Sequence, residues 1–329
     1  MTVIFFQRKP YPHQFSIERV FDGIKKSISE EVKVENAVMP YFSVGFIPRI
    51  KNILWSSKHQ GNVNHITGDI HYIALALDAR KTVLTIHDLN FLNHPNPLAR
   101  FILKTFWLTL PLRKVTCVTV ISEATKKDLL SRVKFPEEKI KVIPNYHNPL
   151  FQASPKEFNK GKPRILQIGT KANKNVLRLI EALKEIECHL VIIGGFNELI
   201  KKNLEQYKIE YSWLEKLAEA ELIEQYQQCD MLSFVSTIEG FGMPILEAQA
   251  IGRVVVTSNI SSMPEVANNA AHLVDPYDVL SIREGILKVI DDDQYREQLI
   301  VNGFENCKRF DISIITKQYL DLYTEIDKE

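Results

Sequence analysis

The sequence predicts an α/β protein with two mainly parallel sheets, arranged as two Rossmann-like domains. Three observations carry this. Short runs that are apolar at consecutive positions recur along the chain and read as strands covered on both faces. Stretches with apolar residues at helical spacing lie between them, and strand–helix alternation means βαβ units. The chain has 329 residues, enough for two domains at roughly 150 residues each.

The strand candidates in the first half are Val3–Phe6, Val63–Ile66, Val83–Ile86, Cys117–Ile121 and Ile140–Ile143. In the second half they are Arg164–Ile168, Leu190–Ile193, Met231–Val235, Val254–Thr257 and His272–Val274. Helical periodicity is plainest at Ile17, Val20, Phe21, Ile24 and Ile28, and again at Val176, Leu179, Ile180, Leu183 and Ile186. The polar stretch from Asn148 to Arg164 holds Pro149, Pro155, Gly161 and Pro163 and marks the boundary. Domains are therefore expected at residues 1–150 and 151–310. The last helical stretch, residues 311–329, has no strand partner and is expected to pack back on the first domain. Ligands of open parallel sheets sit at the carboxyl ends of the strands, so the cleft between two such domains is the expected site.

Composition bounds the function. Hydrophobic residues make up 45% and charged residues 25%, as in ordinary globular proteins. Cys117, Cys188, Cys229 and Cys307 have no metal-type spacing and read as buried, reduced thiols of a cytosolic protein. The N-terminus reads as a strand, without the order of a signal peptide. The longest apolar run, near Phe101 to Leu112, is interrupted by Lys104 and is too short to span a bilayer. The net charge of +1 hides an asymmetry: residues 1–150 hold 21 basic and 12 acidic residues, and residues 151–329 hold 20 and 28. A basic half suits an anionic surface or substrate, but surface charge also drifts freely, and both readings stand.

The most informative segment runs from Met231 to Asn259. A strand leads into Glu239-Gly240-Phe241-Gly242-Met243-Pro244, and a helix follows from Pro244, closed by Gly252. Pro244 suits the first turn of a helix, and Gly240 and Gly242 allow a tight turn and close backbone approach. A helix start offers N–H groups and a positive dipole end to an anion such as a diphosphate. Glu239 precedes the turn and Glu247 lies one turn inside the helix; a carboxylate accepts hydrogen bonds from adjacent sugar hydroxyls.

As a bare glycine pattern this would be only a strand–turn–helix joint with exposed acids. The full string resembles the paired-glutamate signature of retaining GT-B glycosyltransferases, with Glu239 and Glu247 separated by seven residues. Gln225-Tyr226, Asp230, Glu247-Ala248, Gly252, Ser258 to Glu265 and Asp275-Pro276 extend the likeness. The chain resembles glycosyltransferase family 4 (group 1) from about residue 62 to its end.

The resemblance implies a GT-B fold and transfer of a hexosyl unit from a nucleoside-diphosphate sugar, with retention and without a metal or other cofactor. It implies that the first domain takes the acceptor and the second the donor. Glu247 would bind the donor ribose. Glu239 with the backbone at Phe241, Gly242 and Met243 would hold the transferred sugar. Leu217 stands where relatives contact the base. Gly169 and Thr170 follow the first strand of the second domain, and Lys174 would neutralise the departing phosphates. Thr170 stands where the family often has an arginine, which leaves a second phosphate contact to Lys171 or to nothing. His87, at a strand's carboxyl end, would position the sugar, with a role in proton transfer as a lesser expectation. Read without the family, His87 is a turn-capping histidine and Lys174 a solvated one.

The loop after the first strand, Arg8-Lys9-Pro10-Tyr11-Pro12-His13-Gln14, departs from the family's glycine-rich loop, so the acceptor is poorly constrained. The expected acceptor is a glycan, lipid-linked or part of a surface polysaccharide. Pro97 to Lys114 mixes aromatic and basic residues and reads equally as a core-facing helix or as a peripheral membrane contact on the inner face of the cell membrane. Asp291-Asp292-Asp293 reads as a solvated helix end rather than a metal site, and Ser122 as a helix cap. Two other classes stay open: a nucleotide-sugar epimerase or hydrolase, and a non-catalytic partner subunit. A dinucleotide oxidoreductase lacks G-x-G-x-x-G after either first strand, and nucleic acid has no recognition module here.

Overall fold

The structure is a computed structural model that describes residues 1–10, 16–28 and 31–328. Tyr11, Pro12, His13 and Gln14 of the loop after the first strand lie outside the described residues. The chain divides into two compact units, Met1–Tyr146 with Ile312–Glu329, and His147–Asp311.

The first unit is built on one parallel sheet. Its strands are β1 (Thr2–Gln7), β2 (Lys33–Val38), β3 (Val63–Ile66), β4 (Thr82–Ile86), β5 (Cys117–Val120) and β6 (Ile140–Val142), in the order β2-β1-β3-β4-β5-β6. The pleat sends alternate side chains to opposite cores: Val3 and Phe5 to one, Ile4 and Phe6 to the other. Helices α1 (Ser16–Ile28), α2 (Phe46–Ser56), α3 (Pro97–Leu103), α4 (Leu110–Leu112) and α5 (Glu123–Arg132) surround it, with a π-helical turn, Lys104–Thr109, joining α3 to α4. Ser122 caps α5, its Oγ accepting from Thr125 N at 3.0 Å.

The C-terminal helix, Ile312–Lys328, belongs to this unit. It buries Ile315, Tyr319, Leu322, Tyr323 and Ile326 against β1 and α1, each worth about 1.5–3 kcal/mol of apolar burial. Beneath it lies a buried polar chain. His65 Nδ1 meets the Tyr323 hydroxyl at 2.6 Å, His65 Nε2 meets Thr85 Oγ1 at 2.6 Å, and Thr85 meets Thr119 at 2.5 Å.

The second unit repeats the plan. Strands β7 (Arg164–Ile168), β8 (His189–Ile193), β9 (Glu210–Leu214), β10 (Met231–Phe234), β11 (Val254–Ser258) and β12 (His272–Val274) form a parallel sheet ordered β12-β11-β10-β7-β8-β9. Its helices are α6 (Val176–Ala182), α7 (Glu198–Gln206), α8 (Glu219–Gln228), α9 (Met243–Ile251), α10 (Met263–Ala267), α11 (Val279–Asp291) and α12 (Asp293–Lys308). Residues after Tyr146 are tied to this unit: Asn148 Nδ2 donates to Glu219 at 3.0 Å, Ser154 N donates to Ile251 O at 3.1 Å, and Phe151 packs edge-on against Tyr226. The three consecutive aspartates end α11 and start α12; Asp292 accepts from Tyr295 N and pairs with Lys288, and Asp293 pairs with Arg296.

All ten expected strands form. The sequence reading omitted β2 and β9, which are both edge strands. An edge is covered less than a central strand, so these segments keep polar residues and lack a continuous apolar run. In each sheet the connections reverse direction once, between β1 and β3 and between β7 and β10. Such switch points open a crevice at the carboxyl ends of the strands.

Candidate functional site

In the second unit, the loops after β7 and β10 meet at the switch point. After β7 the chain enters Gly169 with φ of +89°, where a side chain would come within 3.0 Å of Lys174. A short turn, Ala172–Lys174, then ends at Asn175, which adopts the left-handed conformation and so aims the preceding lysine. The Asn175 amide donates to Val235 O at 3.0 Å and Pro276 O at 2.6 Å, fixing this corner to the ends of β10 and β12.

After β10, residues 236–242 form a tight loop. Thr237 N donates to Asn173 O at 2.8 Å, and the Asn173 amide donates to Ile238 O at 3.0 Å. Ser261 clasps Glu239 twice: its hydroxyl accepts from Glu239 N at 3.1 Å and donates to Glu239 O at 2.8 Å. The Ser262 hydroxyl lies 3.0 Å from Glu239 O and 2.5 Å from Phe241 O. Gly242, with φ of +119°, is the N-cap of α9, and a side chain there would press on Ile245. The helix starts at Met243, one residue before the expected Pro244, and Gly252 ends it in the left-handed conformation.

Lys174 Nζ lies 2.6 Å from Glu239 Oε1 and 4.6 Å from the centre of the Phe234 ring. Both partners of the pair are largely shielded, at 18% and 15% side-chain exposure, so an anion that took over the lysine would do so in a medium that screens charge poorly. One turn into α9, Glu247 Oε2 accepts from the Tyr226 hydroxyl at 2.6 Å. Burial first, and the charge of Glu247 second, raise the Tyr226 phenol well above its ordinary range, so it remains a donor and holds that carboxylate oxygen in place.

Thus Gly169, Lys174, Glu239, Gly240, Phe241, Gly242, Met243, Pro244 and Glu247 gather at one end of one sheet. Thr170 is beside them, but its hydroxyl donates to Gly195 O at 2.6 Å, turned toward the β8 loop. Lys171 is exposed and makes no ion pair with a described residue. Leu217 is half-buried in the turn between β9 and α8. The tyrosine that orients Glu247 was read only as part of a wider likeness, because a contact between residues 21 apart leaves no local pattern.

The first unit has its own polar crevice at its own switch point. A cavity of about 380 Å³ is lined by Arg8 after β1, Asp69 and His71 after β3, His87 and Asp88 after β4, and Trp107. Arg8 is shared between Glu18 at 2.7 Å and Asp69 at 3.2 Å. His87 Nε2 donates to Thr67 O at 2.8 Å and His71 Nδ1 donates to Trp107 O at 2.7 Å. A ring nitrogen facing a carbonyl must carry the proton. Burial lowers the pKa of both rings, so His87 keeps Nδ1, and His71 keeps Nε2, as an acceptor. His87 therefore ties the end of β4 to the segment after β3 and lines the cavity as well. The sequence reading met Arg8 and His71 only as loop residues and assigned neither to a site; their place after a strand's carboxyl end is the one signal that could have done so.

Comparison with known proteins decides the family. The model of glycosyl transferases group 1 matches residues 151–306, and that of Glycosyltransferase Family 4 matches residues 26–149. The chain belongs to the group 1 glycosyltransferases. This glycosyltransferase is 26% identical over 270 residues to O-antigen chain mannosyltransferase B of Escherichia coli, across 74% of this chain and 70% of that protein. It is 26% identical to the O-antigen chain mannosyltransferase RfbU of Salmonella typhimurium, across 70% of this chain and 65% of that protein. The fold matches the crystal structure of Anabaena Alr3699/HepE in complex with UDP and glucose, with a TM-score of 0.79 at 18% identity, over 99% of this chain and all of that one. The two six-stranded parallel sheets are those of a GT-B fold.

Proposed function

We propose that this glycosyltransferase moves a hexosyl unit from a nucleoside-diphosphate sugar to a hydroxyl of a lipid-linked or growing surface polysaccharide, at the cytoplasmic face of the cell membrane. The donor unit is His147–Asp311, close to the expected 151–310, and the acceptor unit is Met1–Tyr146, completed by the C-terminal helix. The observation that carries this reading is the Lys174–Glu239 pair at the start of α9, with Glu247 held by Tyr226 one turn further on.

In this reading the donor diphosphate lies at the start of α9, where the N–H groups of a first turn have no intrahelical partner. Lys174 leaves Glu239 and neutralises the departing phosphate. Glu239, freed, accepts hydrogen bonds from the sugar, beside the backbone of Phe241, Gly242 and Met243. Glu247 takes the ribose hydroxyls. His87, through Nδ1, accepts from a sugar hydroxyl. The acceptor hydroxyl attacks from the face the phosphate leaves, which retains the configuration, and the departing phosphate takes its proton; the Lys174 ammonium does the work that a metal ion would otherwise do. The O-antigen mannosyltransferases among the relatives support a polysaccharide acceptor.

The test is a transfer assay with nucleotide sugars and lipid-linked glycan acceptors, with and without EDTA, and NMR of the new linkage. The expected product needs acceptor, keeps the donor's anomeric configuration and forms undiminished with EDTA. Donor turnover at the same rate without acceptor would favour an epimerase or hydrolase instead.

A further inference from the structure

We propose that α2 and α3, with the residues leading into α2, form a surface that docks on an anionic bilayer, beside the cavity of the first unit. The proposal deepens the lipid-linked acceptor reading and rests on it.

The observation is a helix that is apolar on its outer face as well as its inner one, where Ile53 and Trp55 pack against the core. In α2 the fully buried residues are polar, Asn52 and Ser56, while Phe46, Ile47, Ile50 and Leu54 face solvent at 75%, 65%, 38% and 60% exposure. Helices of globular proteins place their apolar stripe inward. Here Asn52 is anchored instead by the Tyr41 backbone and the Tyr72 hydroxyl, at 3.0 to 3.2 Å. That anchor leaves Ile47, Ile50 and Leu54, one turn apart, on the outer face. On α3, Leu98, Phe101 and Ile102 are exposed in the same way, and Phe106 extends them. The two segments are neighbours: the Arg49 guanidinium stacks 4.4 Å over the Trp107 ring, and Ser43 and Leu103 line the same cavity.

Charge selects the occupant. From Asn36 to Gly68 the chain has no acidic residue but carries Arg49, Lys51 and Lys58. From Leu89 to Ser122 it again has none, and carries Arg100, Lys104, Arg113 and Lys114. Exposed aromatic and aliphatic residues flanked only by cations suit the boundary of anionic headgroups and acyl chains. The core of a protein–protein interface is depleted in lysine, which weighs against a protein partner. Among the described residues no helix is long and apolar enough to cross a membrane, so the contact would lie on the surface. A cavity beside that surface would receive the headgroup glycan of a lipid whose chains stay in the bilayer.

The experiment is co-sedimentation of the full chain with vesicles of phosphatidylcholine, with and without about one third phosphatidylglycerol. The wild type is expected to bind the anionic vesicles, and to release in about 1 M salt, where the screening length falls to roughly 3 Å. Phe46→Asp with Leu54→Asp should weaken binding by about tenfold or more, as should Lys51→Glu with Lys104→Glu. Leu280→Asp, an equally exposed apolar site in the second unit, should bind as the wild type. Melting curves with nucleotide verify that each variant is folded and that its donor site is intact. No binding by the wild type, or equal binding by both double variants, overturns the surface. So does self-association that the Phe46→Asp, Leu54→Asp variant abolishes in a chain that ignores vesicles. Vesicle binding without any nucleotide response would leave the surface standing and sink the donor reading alone.

Discussion

Lys174→Ala is expected to lower kcat for sugar transfer by about 10²–10³-fold, the loss typical of removing one preorganised group that stabilises charge in a transition state. The lysine is already in place before any donor arrives. Its ammonium is held at 2.6 Å by Glu239 and rests over the Phe234 ring, so little reorganisation is needed when a phosphate replaces the carboxylate. The same pairing predicts strong coupling. Glu239→Gln and Lys174→Ala should combine to less than the sum of their separate losses, since each deprives the other of its partner. Steady-state kinetics of the four chains, with melting points to exclude misfolding, measures this. A kcat for Lys174→Ala within a few-fold of the wild type would remove the lysine from the chemistry.

Acid should destabilise the fold, starting at about pH 6.5. Both ring nitrogens of His65 are bonded in the interior of the first unit. Burial, and secondarily the charge of His87, lower its pKa to about 3. The unfolded chain takes up a proton near pH 6.5 that the folded chain refuses. The contribution of His65 is therefore whole above that pH and is lost as pH falls toward 3, by about 2 kcal/mol at pH 5 and roughly 3 kcal/mol at pH 4. Burial lowers the pKa of His71 and His87 as well, adding loss in the same direction. Melting temperatures at pH 7, 6, 5 and 4 should fall progressively, and His65→Gln, less stable at pH 7, should show a shallower slope. A melting temperature constant across that range would contradict the account.

The central strands were legible because a strand buried on both faces must be apolar at consecutive positions, as at Val3–Phe6 and Val254–Val256. The edges β2 and β9 were not, because an uncovered flank tolerates Lys33, Glu35 and Glu210. The Glu239–Pro244 turn was legible because Gly242 takes a positive φ there and Pro244 suits the first turn of the helix. Around that turn, the engagement of the Thr170 hydroxyl by Gly195 and of Glu247 by Tyr226 depends on residues that only folding brings together. The stretch Pro97 to Lys114 left two readings open, a core-facing helix and a membrane contact, and the structure has one side of it buried and another exposed. Trp107, Leu108 and Leu112 face the core, while Leu98, Phe101 and Ile102 face outward. The apolar outer face of α2 has no sequence signal of its own, since an apolar stripe is ordinarily evidence of burial.

The most direct test of the donor site is thermal stabilisation of the purified chain by UDP, GDP, dTDP and ADP, with Glu247→Ala measured alongside. One nucleotide at about 100 times its dissociation constant is expected to stabilise the wild type by roughly 2.7 kcal/mol, and Glu247→Ala should reduce that shift markedly. A folded wild type that responds to none of the four, or a shift that Glu247→Ala leaves intact, would contradict the site at the start of α9.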